Sequence, residues 1–211
     1  MNTTTTYKFA DLSKEAKERA VDKHREGMCD GYDWWDNVFE DWVEKLRALD
    51  YEDIDIQFSG FWSQGDGASF TARRGPNHDT DEAVQAAWLQ LKAAAALLGG
   101  TLDKWADLPD LAWGNVHRID NRHSHEYTVR VDWENYADGP GEDEDDLTLQ
   151  WHDLHTAIEN YYEDLTETVR DLCREIYSDL ETEYEYLTAD EQVIESIESL
   201  DVEFDEEGDV V

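Results

Sequence analysis

Among the side chains able to do chemistry, His117, His123, His125, Glu126, His152 and His155 are the best candidates for metal ligands. Imidazole nitrogens joined by a carboxylate form a donor set suited to zinc. On an extended strand His123 and His125 would turn both rings to one side, and on a helix His152 and His155 would share a face. A site needs three or four ligands converging from these separate elements; the alternative is a set of ordinary hydrogen-bonded histidines. A second group is the loop 59–67, where Asp66 lies between Gly65 and Gly67, close to Ser63 and Gln64. Asp66 there is either a ligand or base in a polar loop, or the centre of a turn. In the turn reading it bonds its own backbone while Phe61 and Trp62 anchor the loop to the core. No glycine-rich phosphate loop with a following lysine is present, no Gly-x-Ser-x-Gly elbow, and no Cys–His nucleophile spacing. No reaction is selected, so the expectation is a protein that is not an enzyme, with no cofactor and no assigned metal.

The third group is the carboxylates. The chain carries 53 Asp and Glu against 17 Lys and Arg, a formal net charge of −36. Self-repulsion on that scale destabilises a compact state unless salt or a basic partner screens it, and it repels nucleic acid and anionic membranes. Residues 132–211 hold only two basic side chains, Arg170 and Arg174. Within that stretch Glu159, Glu163, Glu167, Asp171, Glu175 and Asp179 recur every fourth residue. On a helix such a row climbs about 6 Å per step and drifts slowly around the axis. A further acidic run, Glu142, Asp143, Glu144, Asp145 and Asp146, follows Gly139-Pro-Gly141. Its spacing does not match a calcium loop, so it reads as a solvated linker.

Several elements must position these groups. Ser13 reads as the N-cap of a helix ending at Gly27, with Ala16, Ala20, Val21 and His24 on one face. A second helix is expected over about 33–49, its apolar face including Trp35, Val38, Trp42 and Leu46. Ile54, Ile56 and Phe58, then Ala68, Phe70 and Ala72, alternate with polar residues, which predicts an antiparallel hairpin with its tip at 59–67. A helix from about Asp81 to Leu98 and a second strand pair over 113–120 and 126–133 follow. From Leu147 to Leu187 apolar residues recur every three or four positions, the pattern of one long helix. Thr188 with Glu191 has the form of a capping box for a last helix to about Leu200. Residues 201–211 read as an acidic tail with a short strand near 202–204. The expected fold is α+β, a single domain over 1–211 with a small antiparallel sheet of two hairpins, packed helices and a long acidic C-terminal helix.

The run Ser59-Gly-Phe-Trp-Ser-Gln-Gly-Asp-Gly-Ala-Ser-Phe70 resembles a group of small proteins encoded by tailed bacteriophages and prophages. So do the opening Tyr7-Lys-Phe-x-x-Leu-Ser-x-x-Ala-Lys17 and the later Tyr184-Glu-Tyr-Leu-Thr-x-Asp-Glu191, in the same order along nearly the whole chain. Some members are labelled antitoxin-like. The resemblance implies a virus-encoded accessory protein and supplies no catalytic residues.

Cys29 and Cys173 are too few for a disulfide framework, no run reaches the roughly 18 apolar residues of a membrane span, and residues 1–6 lack the form of a signal peptide. A cytoplasmic protein is expected. Proteins that bind duplex DNA offer basic grooves, and a folded chain with a carboxylate-lined face can occupy one. Together with the phage resemblance, this makes a DNA-mimic inhibitor of a host defence system the leading expectation. Its partner would be a basic, nucleic-acid-binding protein of host or phage, with no direct contact to nucleic acid or membrane. The contact residues would be the Glu159–Asp179 row, with residues 142–146 secondary and Phe61, Trp62, Gln64 and Asp66 as a further loop site. Three alternatives stay open: an antitoxin-like neutraliser of a basic toxin, a surface adapted to a salt-rich cytoplasm, and a small metal-dependent enzyme.

Overall fold

A computed structural model describes residues 5–30, 33–74, 114–119, 122–133 and 145–211, with only the backbone at 74, 133 and most of 145–162. The chain folds as mixed α+β, with four helices and two antiparallel sheets among these residues. The expected helix over 81–98, the strand ends at Trp113 and Asp120, and Glu142, Asp143 and Glu144 lie outside them, as do the side chains of His152, His155 and Glu159. Two compact units are formed, one from Met1–Phe39 with Ser178–Val211, the other from Glu40–Tyr177.

In the first unit, strand β1 (Tyr7–Lys8) precedes helix α1 (Lys14–Gly27). Ser13 caps the helix as its sequence position requires, its Oγ accepting the Ala16 N–H at 3.2 Å. Ala16, Ala20 and Val21 then fall on one buried face, where they meet Leu12, Val193, Ile197 and Phe204 in a single apolar cluster. Val193 and Ile197, one turn apart, come from α4 (Asp190–Ser199), and Phe204 from β6 (Glu203–Phe204). β6 pairs antiparallel with β1, setting Tyr7 opposite Phe204 and Lys8 opposite Glu203. The acidic stretch after α4 is folded: Val210 bridges back to Phe204, and the Asp205 carboxylate accepts the N–H groups of Glu207 and Asp209, both at 2.9 Å. Gly208 makes this closure possible. Its φ is +90°, and a Cβ there would sit 2.3 Å from the Ala16 carbonyl oxygen.

Two boundaries differ from expectation. The second helix, α2, runs Asp36–Ala48, so Trp35 precedes it; Trp34 packs at 5.7 Å from Trp35 and 5.6 Å from Tyr184. Thr188 is not a cap. Its N–H and hydroxyl both donate back to the Tyr184 carbonyl, at 3.0 and 2.7 Å, so it finishes the preceding helix, and Ala189 takes the cap position without a side-chain bond.

In the second unit, β2 (Tyr51–Phe58), β3 (Ala68–Arg74), β4 (Gly114–Arg118) and β5 (Val129–Trp133) form one antiparallel sheet in that order. The period-two pattern holds: Ile56, Ala68, Phe70, Ala72, Val116, Val129 and Val131 are buried. The expected strand over 126–133 is shorter, because 126–128 is a turn of 3-10 helix. His125 Nδ1 accepts the Tyr127 N–H at 3.1 Å and the Thr128 hydroxyl donates to the His125 carbonyl at 2.7 Å, which leaves Tyr127 exposed. Arg118, nearly buried, reaches across the sheet to the Asp55 carbonyl and carboxylate and to Ser69 Oγ, at 3.0 to 3.1 Å. Helix α3 (Asp145–Leu187) is 43 residues long, about 64 Å. In this unit it buries Leu165, Val169, Cys173 and Ile176, and Thr166 Oγ1 accepts the Val131 N–H at 3.3 Å. Asp145 and Asp146, expected in a linker, belong to its first turn. Among the described residues no helix is long and apolar enough to cross a membrane.

Candidate partner-binding surface

The β2–β3 tip is built as a turn around one carboxylate. Asp66 Oδ2 accepts the N–H groups of Trp62 at 2.8 Å and Ser63 at 2.6 Å, while the Asp66 N–H donates to the Ser63 carbonyl. Ser59 donates its N–H to the Gly67 carbonyl at 3.1 Å, and its Oγ accepts the Ser124 N–H at 3.3 Å. The close approach is allowed by Gly67, since a Cβ there would lie 2.5 Å from that of His125. Phe61 anchors the tip between Phe58 and Tyr177, with ring centroids at 5.8 and 5.4 Å. Trp62 does not anchor it. The Asp66 carboxylate holds the backbone at 62–63, and Trp62 is 82% exposed. Gln64 is exposed beside it.

The histidines divide among different tasks. His123 and His125 lie in the connection after β4 rather than on a strand, and both meet the tip, the His123 ring against Gly65 and His125 against Gly67. His125 Nδ1 is occupied by the Tyr127 N–H, and Asp66 by two N–H groups, so these atoms are used in building the loop. His117 Nε2 pairs with Asp132 across β4 and β5 at 3.1 Å, and Glu126 faces Arg174 at 3.6 Å. Among the described residues no three His, Cys, Asp or Glu side chains come together as a metal site.

Along α3, Glu163, Glu167, Asp171 and Glu175 are all exposed in the sheet-containing unit; Asp179, also exposed, falls in the other unit. Two of the four are already matched within the chain. Arg170 pairs with Glu167 and Arg174 with Asp171, each three residues along the helix. Both guanidinium groups also face the Tyr127 ring, 5.5 and 6.0 Å from its centroid. Arg170 Nε is buried without a hydrogen-bond partner, while its Nη1 pairs with Glu167. Sequence reasoning missed this cluster. The spacing Glu167-x-x-Arg170 and Asp171-x-x-Arg174 was its signal.

No curated protein and no solved structure matches the chain. A family model described as a domain of unknown function, DUF8835, matches residues 34–190, which include the sheet, its tip and all of α3. That match covers most of the chain, and the protein therefore belongs to the DUF8835 family.

Proposed function

We propose that this chain acts by protein–protein contact, with the acidic face of α3 receiving a basic, nucleic-acid-binding partner. The reading extends to a phage-encoded protein of DNA-mimic type that blocks a host defence system such as restriction or CRISPR. The observation that carries it is the exposure of Glu163, Glu167, Asp171 and Glu175 along one helix. These four climb about 18 Å, one carboxylate per 6 Å, against one phosphate per 3.4 Å along a single DNA strand. Arg170 and Arg174 thin the row further. At that density the row steers a cationic surface and sets its register rather than reproducing the full field of a duplex.

The test has two parts. First, far-UV circular dichroism and melting are followed from about 20 mM to 3 M salt, over which screening lengths shrink from tens of Å to a few. A protein folded at physiological salt supports the reading; one that folds only in the molar range carries its charge as salt adaptation, and the reading fails. Second, the affinity for a decalysine peptide is compared between the native chain and Glu163→Gln/Glu175→Gln. Loss of two carboxylates that contact the peptide weakens binding at low salt by about fivefold for each charge engaged. An unchanged affinity removes the row from the contact.

A further inference from the structure

Four carboxylates, two of them already paired, attract a partner but do little to hold it once salt screens them. The same unit presents a group suited to holding. Trp62 has the highest fractional exposure of the large hydrophobic side chains described, although an indole is ordinarily well buried. The backbone that carries it is held: the Trp62 N–H is bound to Asp66, the Phe61 ring packs at a tilt on Phe58 and Tyr177, and Gly67 is seated on His125. A tip already ordered loses little freedom on binding, and tryptophan is the residue type most often found carrying the energy of a protein contact. The chemistry of the occupant follows from charge. Around a chain of net charge −36 the partner's side chains are cations, and a guanidinium stacks on an indole better than an ammonium does. The protein makes this kind of pairing within itself, with Arg170 and Arg174 against Tyr127 while their charges rest on Glu167 and Asp171. Tyr177, under Phe61, is about 40° around α3 from Glu163 but about 21 Å along it, a separation that an extended ten-residue peptide spans, whereas Glu175, level with Tyr177, faces about 160° away.

We infer that Trp62 is the anchor of the partner surface, its ring receiving an arginine of a basic protein whose neighbouring cations meet the α3 row. This inference rests on the protein-contact reading above. It is tested with the full chain, deca-arginine and decalysine peptides at about 150 mM salt, and Trp62→Ala, whose side chain is exposed and whose backbone bond to Asp66 survives. Deca-arginine should bind the native chain about fivefold more tightly than it binds Trp62→Ala, the scale of one cation–π contact. Trp62→Ala should leave decalysine binding within about twofold. The indole N–H resonance absent from Trp62→Ala should shift on adding deca-arginine to the native chain. Equal peptide affinities in native and Trp62→Ala chains, with that resonance unmoved, overturn the anchor while leaving the acidic row intact. If neither peptide binds the native chain even at about 20 mM salt, both the row and the anchor are overturned.

Discussion

The ion pairs that tie α1 to the late segments of its unit differ in reach from those along α3 in the sheet-containing unit. In the unit formed by the chain's two ends, cations from the first 25 residues reach acids nearly the whole sequence away. Lys8 meets Asp201 and Glu203, Arg19 meets Glu207, Lys23 meets Asp209 and Arg25 meets Asp190. On α3 in the sheet-containing unit, Arg170 and Arg174 pair three residues back along their own helix, Arg174 also facing Glu126 at 3.6 Å. A pair across the chain joins separate elements, whereas a pair within one helix only adjusts the charge of a face that exists without it. In so acidic a chain the cations on α1 join separate elements, while Arg170 and Arg174 lower the charge of one exposed helix face.

The largest contrast is in the thiols, one to each unit. Burial pushes Cys173 up to about 12, whereas Cys29, half-buried, is raised by burial and then by Asp30 and Glu183. At pH 8 iodoacetamide should label Cys29 about a hundredfold faster or more, with Cys173 reacting only when the sheet-containing unit opens. Equal labelling, read by mass spectrometry, breaks the picture of a closed unit there. Next, Phe204→Ala should destabilise by about 3–5 kcal/mol, with faster hydrogen exchange in α1 and α4. Arg25→Gln loses bonds to Asp22, Asp190 and the Thr188 carbonyl and should cost about 1–2 kcal/mol in a melt. A reversed order would mean that charge rather than the apolar cluster closes that unit. Asp205 sharpens the same point through pH. The N–H groups of Asp209, Glu207 and Gly208 hold its carboxyl below the usual carboxylate range despite some desolvation. Its contribution is thus present above about pH 4 and lost as the pH falls through the lowered value, and Asp205→Asn should flatten the acid limb of the melting curve. Smallest is Arg174→Gln, which should leave the melt almost unchanged, with decalysine binding strengthened because Asp171 is released.

Much of the fold was legible where the signal is local. Ser13 is read as a cap because its hydroxyl has one nearby use, and the sheet is read from alternation at Ile56, Phe70 and Val131. Thr188 misleads because the same hydroxyl that caps a helix ahead can satisfy the carbonyl behind. The turn at 126–128 hides because a histidine, not an Asp or Ser, supplies the acceptor. The pairing of β1 with β6 joins residues almost two hundred positions apart, which no window on the sequence can see. In the candidate site, the carboxylate row is visible as a period of four, and Asp66 bonds its own backbone as a turn aspartate does. The exposed indole is not visible, because the sequence does not say which of the neighbours Phe61 and Trp62 packs on Phe58 and Tyr177.

The pairing of Tyr7 with Phe204 also sets a schedule. During synthesis α1 leaves the ribosome long before Val193, Ile197 and Phe204, which cover its apolar face. The sheet of β2 to β5 has all its strands made by residue 133, and the part of α3 that packs in its unit by residue 177. Until Val193, Ile197 and Phe204 are made, Ala16, Ala20 and Val21 wait without these partners, and a ribosome stalled before them would carry a nascent chain whose first helix is still sticky.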